Sequence, residues 1–183
     1  MVVNNKLETK IIYNVLGILE GELEPDRYVI VGNHRDSYGV GAMDAVTGSA
    51  PMLESARIFG LLKKTWRPRR SIVFASFSGE EQGLIGSFEF VEQYMNVLQS
   101  NTLVYLNIDT CVKGPDVDVE AWPSLQDVCR KVFKRIPAHN QMTNQSMTFP
   151  QTIYDNWKEQ LKKENKISSS EIKMPLVLKY NFF

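Results

Sequence analysis

Cysteine and histidine are both scarce in this chain of 183 residues: it has two of each, Cys111 and Cys129, His34 and His139. Two cysteines allow at most one internal disulfide and exclude a cysteine-rich scaffold; they read as small core residues rather than a redox pair or zinc ligands. Neither sign of charge is in excess. The 21 basic side chains balance 21 acidic ones, which removes the chain-wide electrostatic case for binding nucleic acid or an anionic membrane. No apolar run approaches the roughly 20 residues that span a bilayer, and Met1 to Lys10 lacks the apolar core of a signal peptide. Internal repeats and low-complexity tracts are missing too. What is present is a composition 43% hydrophobic and 10% aromatic, enough for one folded domain of ordinary size with a real core.

Apolar runs and helical periodicities alternate along that domain. Residues 11–19 and 27–33 read as β-strands, and the turn chemistry of Gly21-Glu22-Leu23-Glu24-Pro25-Asp26 between them predicts an antiparallel hairpin. Ser71 to Phe77 and Thr102 to Asp109 read as buried strands. Pro51 can open a helix at its first turn, with Met52, Ala56, Phe59 and Leu62 recurring at helical spacing. Leu84, Phe88, Val91, Met95 and Leu98 mark a helix over 83–99, and weaker helical patterns lie near 123–135 and 152–164. The expected fold is α/β: a mostly parallel mixed sheet flanked by helices and joined by right-handed crossovers.

In such sheets, ligands bind beyond the carboxyl ends of the strands. Three of these strands end in groups that suit a metal: Asn33-His34-Arg35-Asp36-Ser37, Ser78-Gly79-Glu80-Glu81, and Asp109. Asp44 follows His34 by ten residues, in a glycine-rich loop ahead of a helix. Each has a plain reading. His34 can be a hydrogen-bonded structural histidine, Glu80 and Glu81 can complement a helix N-terminus, Asp44 can cap a helix, and Asp109 can simply end a strand. Those readings leave the collection of acids at one sheet edge unexplained. They also leave His34-Arg35-Asp36, where a carboxylate two residues from an imidazole can accept its second ring N–H and fix the metal-binding tautomer. The pattern points to a metal site.

Longer motifs surround these residues. Tyr13-Asn14-Val15 with Gly17 and Gly21, Glu24-Pro25-Asp26-Arg27-Tyr28-Val29, Gly32-Asn33-His34-Arg35-Asp36-Ser37, Trp66-Arg67-Pro68-Arg69-Arg70-Ser71-Ile72-Val73-Phe74-Ala75-Ser76 and Glu80-Glu81-Gln82-Gly83-Leu84-Ile85-Gly86-Ser87 resemble the glutamate carboxypeptidase II family. These are zinc peptidases of the M28 type, also called N-acetylated-alpha-linked acidic dipeptidases. Asn33 and Ile153-Tyr154-Asp155-Asn156-Trp157 resemble its dipeptidase-like branch. The likeness is dense over 11–114, weaker to about 160 and lost in the tail. It implies a zinc exopeptidase-like three-layer sandwich and a co-catalytic two-zinc peptidase acting on small peptides. His34 and Asp109 would bind one zinc and Glu81 the other, with Asp44 bridging both. Glu80 would be the general base, and Asp36 would orient His34. Glu89 and Glu92, one helical turn apart, match positions that hold a structural calcium in the family; solvent-facing acids on an amphipathic helix are the alternative.

The resemblance also sets expectations about what lies outside these residues. The family's fifth zinc ligand is a histidine well downstream of the Asp109 position. His139, in Arg135-Ile136-Pro137-Ala138-His139-Asn140, stands in a different context. The expectation is therefore a partial peptidase domain over 1–164 with a divergent tail over 165–183. Such a chain would bind at most one metal well and hydrolyse peptides poorly or not at all, and an open sheet edge would favour its aggregation. The family's homodimer regions are not in the sequence. Nor is the membrane anchor that commonly carries its extracellular catalytic domains. Two other classes compete: a catalytically inactive binding module of the transferrin receptor type, and a non-peptidase amidohydrolase. The retained acids and His34 argue against the first. Lys63-Lys64-Thr65-Trp66-Arg67-Pro68-Arg69-Arg70 reads as a solvated loop rather than a nucleic-acid patch, and Asn144-Gln145-Ser146 is a glycosylation sequon that matters only in a secreted chain.

Overall fold

The computed structural model describes residues 3–4, 6, 8–112, 119–138 and 152–163. Two compact units divide the chain, the first running to Val112 and the second beginning at Lys113.

In the first unit a four-stranded sheet is built from β1 (Val15–Leu19), β2 (Glu24–His34), β3 (Arg70–Phe77) and β4 (Thr102–Asn107), in the order β1-β3-β2-β4. β2 runs parallel to both β3 and β4, and β1 lies antiparallel on the outer edge of β3. Helix α1 (Val46–Leu62) connects β2 to β3, and α2 (Ile85–Asn101) connects β3 to β4. Side chains of β3 alternate between the faces, as strand geometry requires. Val73, Ala75 and Phe77 form a core with Ile30, against which Phe90 and Leu98 of α2 pack. Phe74 turns the other way and meets Phe59 of α1, ring centroids 6.2 Å apart. The helices thus cover opposite faces, and the expected mostly parallel α/β sheet is present.

The predicted hairpin is not. β1 and β2 are antiparallel to each other, but β3 lies between them. The reason is burial. β3 is apolar on both faces and needs neighbours on both edges, whereas β1 is exposed along most of its length and suits an edge. The turn-rich segment therefore passes over the start of β3 instead of closing a two-strand loop. Ser71, buried at 2% exposure, fastens it: its hydroxyl accepts from Gly21 N–H at 3.0 Å and donates to the Pro25 carbonyl at 2.6 Å. Glu24 adds ion pairs to Arg69 and Arg70. Ser71→Ala is expected to cost about 1–3 kcal/mol in urea unfolding, the range for leaving buried partners unsatisfied; an unchanged midpoint would show that the fastening contributes nothing.

Helix α1 also starts earlier than its proline suggests. It begins at Val46, placing Pro51 inside the helix, with Val46 N–H donating to Gly41 O and Ser49 N–H to Ala45 O. The proline removes one helical hydrogen bond. The start is fixed instead by packing of the first turn against the ends of β2 and β4, developed below.

In the second unit a 3₁₀ turn at Pro123–Leu125 leads into α3 (Gln126–Phe133), and α4 is Ile153–Lys163. Tyr154, Trp157 and Leu161 of α4 form a small core with Phe133. His139, the sequon at Asn144 and the tail over 165–183 lie outside the described residues.

Candidate metal centre

Because β2, β3 and β4 are parallel, their carboxyl ends lie side by side. His34 is the last residue of β2, Glu80 and Glu81 follow β3, and Asp109 lies two residues past β4. Gly79, at φ 74°, makes the turn out of β3 that a side chain would resist. Asp44 closes the loop before α1, through a cis bond to Ala45.

Three of these side chains converge. The imidazole Nε2 of His34 lies 2.9 Å from an oxygen of Asp44 and 3.0 Å from one of Asp109, and one ligand atom from each lies within 4.8 Å of the others. His34 is 4% exposed. Its Nδ1 lies 2.9 Å from the backbone carbonyl of Asp36, an acceptor only, so Nδ1 carries the proton and the lone pair of a neutral ring sits on Nε2. Electron pairs from one nitrogen and two carboxylates then face one another. A divalent cation resolves that arrangement, as does a proton on Nε2, and the imidazole–carboxylate donor set suits zinc. Burial alone would lower the pKa of His34. The hydrogen bond to Asp109, with the charges of Asp109, Glu80 and Asp44, outweighs it and raises the value above the ordinary one.

Asp36 works differently from the sequence expectation. Its carboxylate is 3.7 Å from Nδ1; its main-chain carbonyl makes the contact with the ring. The carboxylate accepts from the backbone N–H groups of Glu80 and Glu81, each at 3.1 Å. Burial opposes its ionisation, but these two backbone donors hold its pKa below the usual value. One residue thereby sets the imidazole with its backbone and the Glu80–Glu81 corner with its side chain. A tight turn makes the backbone acceptor closer, and spacing in sequence alone does not reveal that.

Glu80 sits near the cluster without joining it. Burial raises its pKa; the charge of His34 opposes this, while Asp109, Glu81 and Asp36 add to the rise. Glu81 reaches the loop after β2, where its carboxylate accepts from Tyr38 N–H at 3.3 Å and its carbonyl accepts from the Tyr38 hydroxyl at 2.7 Å. Tyr38 was not singled out in the sequence, and an aromatic in a glycine-rich loop carries no distinguishing signal. Glu89 and Glu92 are exposed on α2. Cys111 and Cys129 are free thiols.

Parallel strands that deliver an imidazole and carboxylates to one sheet edge, with a further glutamate beside them, define a candidate metal centre on an α/β sheet. More narrowly, the chain belongs to peptidase family M28, whose model matches residues 14–159. It is 48% identical over 158 residues to the mouse aminopeptidase NAALADL1, covering 85% of this chain and 20% of that protein. It is 42% identical over 147 residues to a probable glutamate carboxypeptidase LAMP1 of Arabidopsis thaliana (80% and 21%). A glutamate carboxypeptidase 2 homolog of Caenorhabditis briggsae is 38% identical over 176 residues (94% and 22%). The chain thus spans about a fifth of the length of the curated relatives it matches. Among solved structures, a zinc aminopeptidase of Bacillus subtilis superposes with a TM-score of 0.55 at 21% identity, over 82% of this chain and 47% of that one. An M28 peptidase precursor of Shewanella amazonensis gives 0.53 at 23%, over 67% and 28%. At that identity they establish the shared fold.

Proposed function

We propose that this chain carries the metal-binding core of an exopeptidase site that uses zinc to hydrolyse a terminal amide bond of small peptides. The observation that carries the reading is the convergence of His34 Nε2 with Asp44 and Asp109, three protein ligands, the number a catalytic zinc takes. His34, Asp44 and Asp109 would hold the zinc, which would supply a lowered pKa for bound water and polarisation of a carbonyl. Glu80 accepts a proton from the attacking water and returns it to the leaving amine, a task for which a carboxylate of raised pKa is suited. Asp36 keeps the Glu80 main chain in place while its own carbonyl fixes the His34 tautomer. Glu81, with Asp44 shared, gives a second ion only two carboxylates among the described residues. The described residues therefore suit one tightly held zinc, with slow turnover or none.

Elemental analysis of the dialysed full chain is expected to give one zinc per chain. None would remove the metal reading, and two would remove the single-ion reading. Binding has a predictable pH dependence. A proton on Nε2 competes with the metal, so zinc affinity rises as pH rises through the elevated His34 pKa. The metal-free fold behaves oppositely. A histidine raised above its unfolded value stabilises fully below that unfolded value, and the stabilisation is lost as pH rises through the folded one. The zinc-induced gain in Tm is thus expected to grow between acid and neutral pH; a gain independent of pH would exclude His34 as a ligand.

A further inference from the structure

We infer that Asn33 and Ser49 are positioning residues that set the separation of His34 from Asp109, and through it the affinity of the site for zinc; this rests on the metal reading above. Asn33 precedes His34 on β2, so its side chain leaves the sheet on the opposite face, toward α1. It is 1% exposed, and its amide is fully used. Nδ2 donates to the carbonyls of Ile108 at 2.8 Å and Asp109 at 3.3 Å. The Ser49 hydroxyl, from the first turn of α1, lies 2.5 Å from Asn33 Oδ1 and 3.0 Å from the His34 carbonyl, offering its proton between them.

The placement has a physical purpose. β4 ends at Asn107, and the last backbone link from β2 to this segment is Ile108 N–H to Gly32 O at 3.0 Å. Beyond it the sheet ladder no longer holds the main chain of Asp109, and the Asn33 amide takes over. A second tie, Cys111 N–H to Thr47 Oγ1 at 3.2 Å, comes from the same helix turn. A purely structural position with so little exposure would favour an apolar side chain, since a buried amide is tolerated only when its donors and acceptor are matched. Here the donors are matched to the backbone carbonyls of Ile108 and Asp109 and the acceptor to Ser49, whose hydroxyl also reaches the His34 carbonyl.

The test measures zinc affinity of the full chain by chelator competition, with the visible absorption of the Co²⁺-loaded protein as a readout of ligand geometry. Asn33→Leu keeps the volume and removes the hydrogen bonds; it is expected to weaken zinc about 10- to 100-fold, the range for residues that orient a ligand, and to shift the cobalt bands. Ser49→Ala, the milder variant should Asn33→Leu not fold, is expected to weaken zinc by roughly 2- to 10-fold. Ile30→Val, a core change on the same strand, is the control for simple destabilisation: it should lower Tm and leave affinity within about twofold. If His34→Ala abolishes binding while Asn33→Leu and Ser49→Ala keep wild-type affinity and spectra, the positioning inference is wrong and the metal reading stands. If His34→Ala binds zinc as the wild type does, the metal reading fails and the inference fails with it.

Discussion

Zinc affinity is expected to fall by on the order of 100-fold or more in His34→Ala and to stay at the wild-type value in Glu80→Gln, because removing a ligand costs more than the 10- to 100-fold lost with a ligand's supporting partner. The two residues separate because their geometry separates. His34 supplies Nε2 at 2.9 and 3.0 Å from Asp44 and Asp109, and it is the nitrogen donor of the group. Alanine leaves two carboxylates facing each other across a cavity, and they repel without the imidazole between them. Glu80 lies close enough for its charge to act on His34, but it is not a member of the convergent group. Glutamine preserves its shape and removes its capacity to take a proton. Any hydrolysis of short peptides by the zinc-loaded chain is therefore expected to vanish in Glu80→Gln with the metal still bound. Calorimetric titration beside a peptide assay distinguishes the cases. Turnover that survives Glu80→Gln would remove Glu80 as the base, and lost zinc binding in that variant would make it a ligand instead.

The sequence made the strands, their alternation with helices and the acidic residues at their ends legible, because these follow from local periodicity. Parallel pairing then puts His34 and Asp109 side by side, and the loop before α1 brings Asp44 to them. Three features were not legible. The hairpin failed because turn chemistry reports that a chain reverses, not which strand takes the place beside it; the two-faced burial of β3 decides that. The start of α1 failed because Pro51 is a local signal, while the helix begins where Gly48 and Ser49 meet the ends of β2 and β4. The role of Asp36 shifted from side chain to main chain because a tight turn brings the nearer acceptor to Nδ1. The first two turn on tertiary contacts between residues far apart in sequence and the third on a local turn, while the Asp36 carboxylate is engaged by Glu80 and Glu81, 44 and 45 residues along the chain.

Two glycines of one helix give the sharpest contrast in stability. Gly48→Ala is expected to destabilise the chain by about 3 kcal/mol or more, whereas Gly60→Ala is expected to stabilise it by about 0.5–1 kcal/mol. Helix propensity favours alanine at both positions, so propensity cannot produce opposite signs; contact does. A Cβ at Gly48 would stand 1.8 Å from the Ile108 carbonyl oxygen, 2.0 Å from that of Asp109 and 2.4 Å from Asn33 Nδ2. Two of these three atoms are backbone and cannot rotate away. α1 must then withdraw, or the Ile108–Asp109 segment must move, and either shift parts Asp109 from His34. A Cβ at Gly60 meets nothing within 4 Å and only restricts the unfolded chain. For a chain of this length a 3 kcal/mol loss corresponds to roughly 6–12 °C in Tm, so thermal melts of the metal-free protein decide the matter. Gly48→Ala should also lose zinc binding at temperatures where it remains folded, because the clash acts on the ligand backbone itself. Equal and small shifts for both variants would mean that the first turn of α1 does not rest against the strand ends, and the explanation for its early start would fail as well.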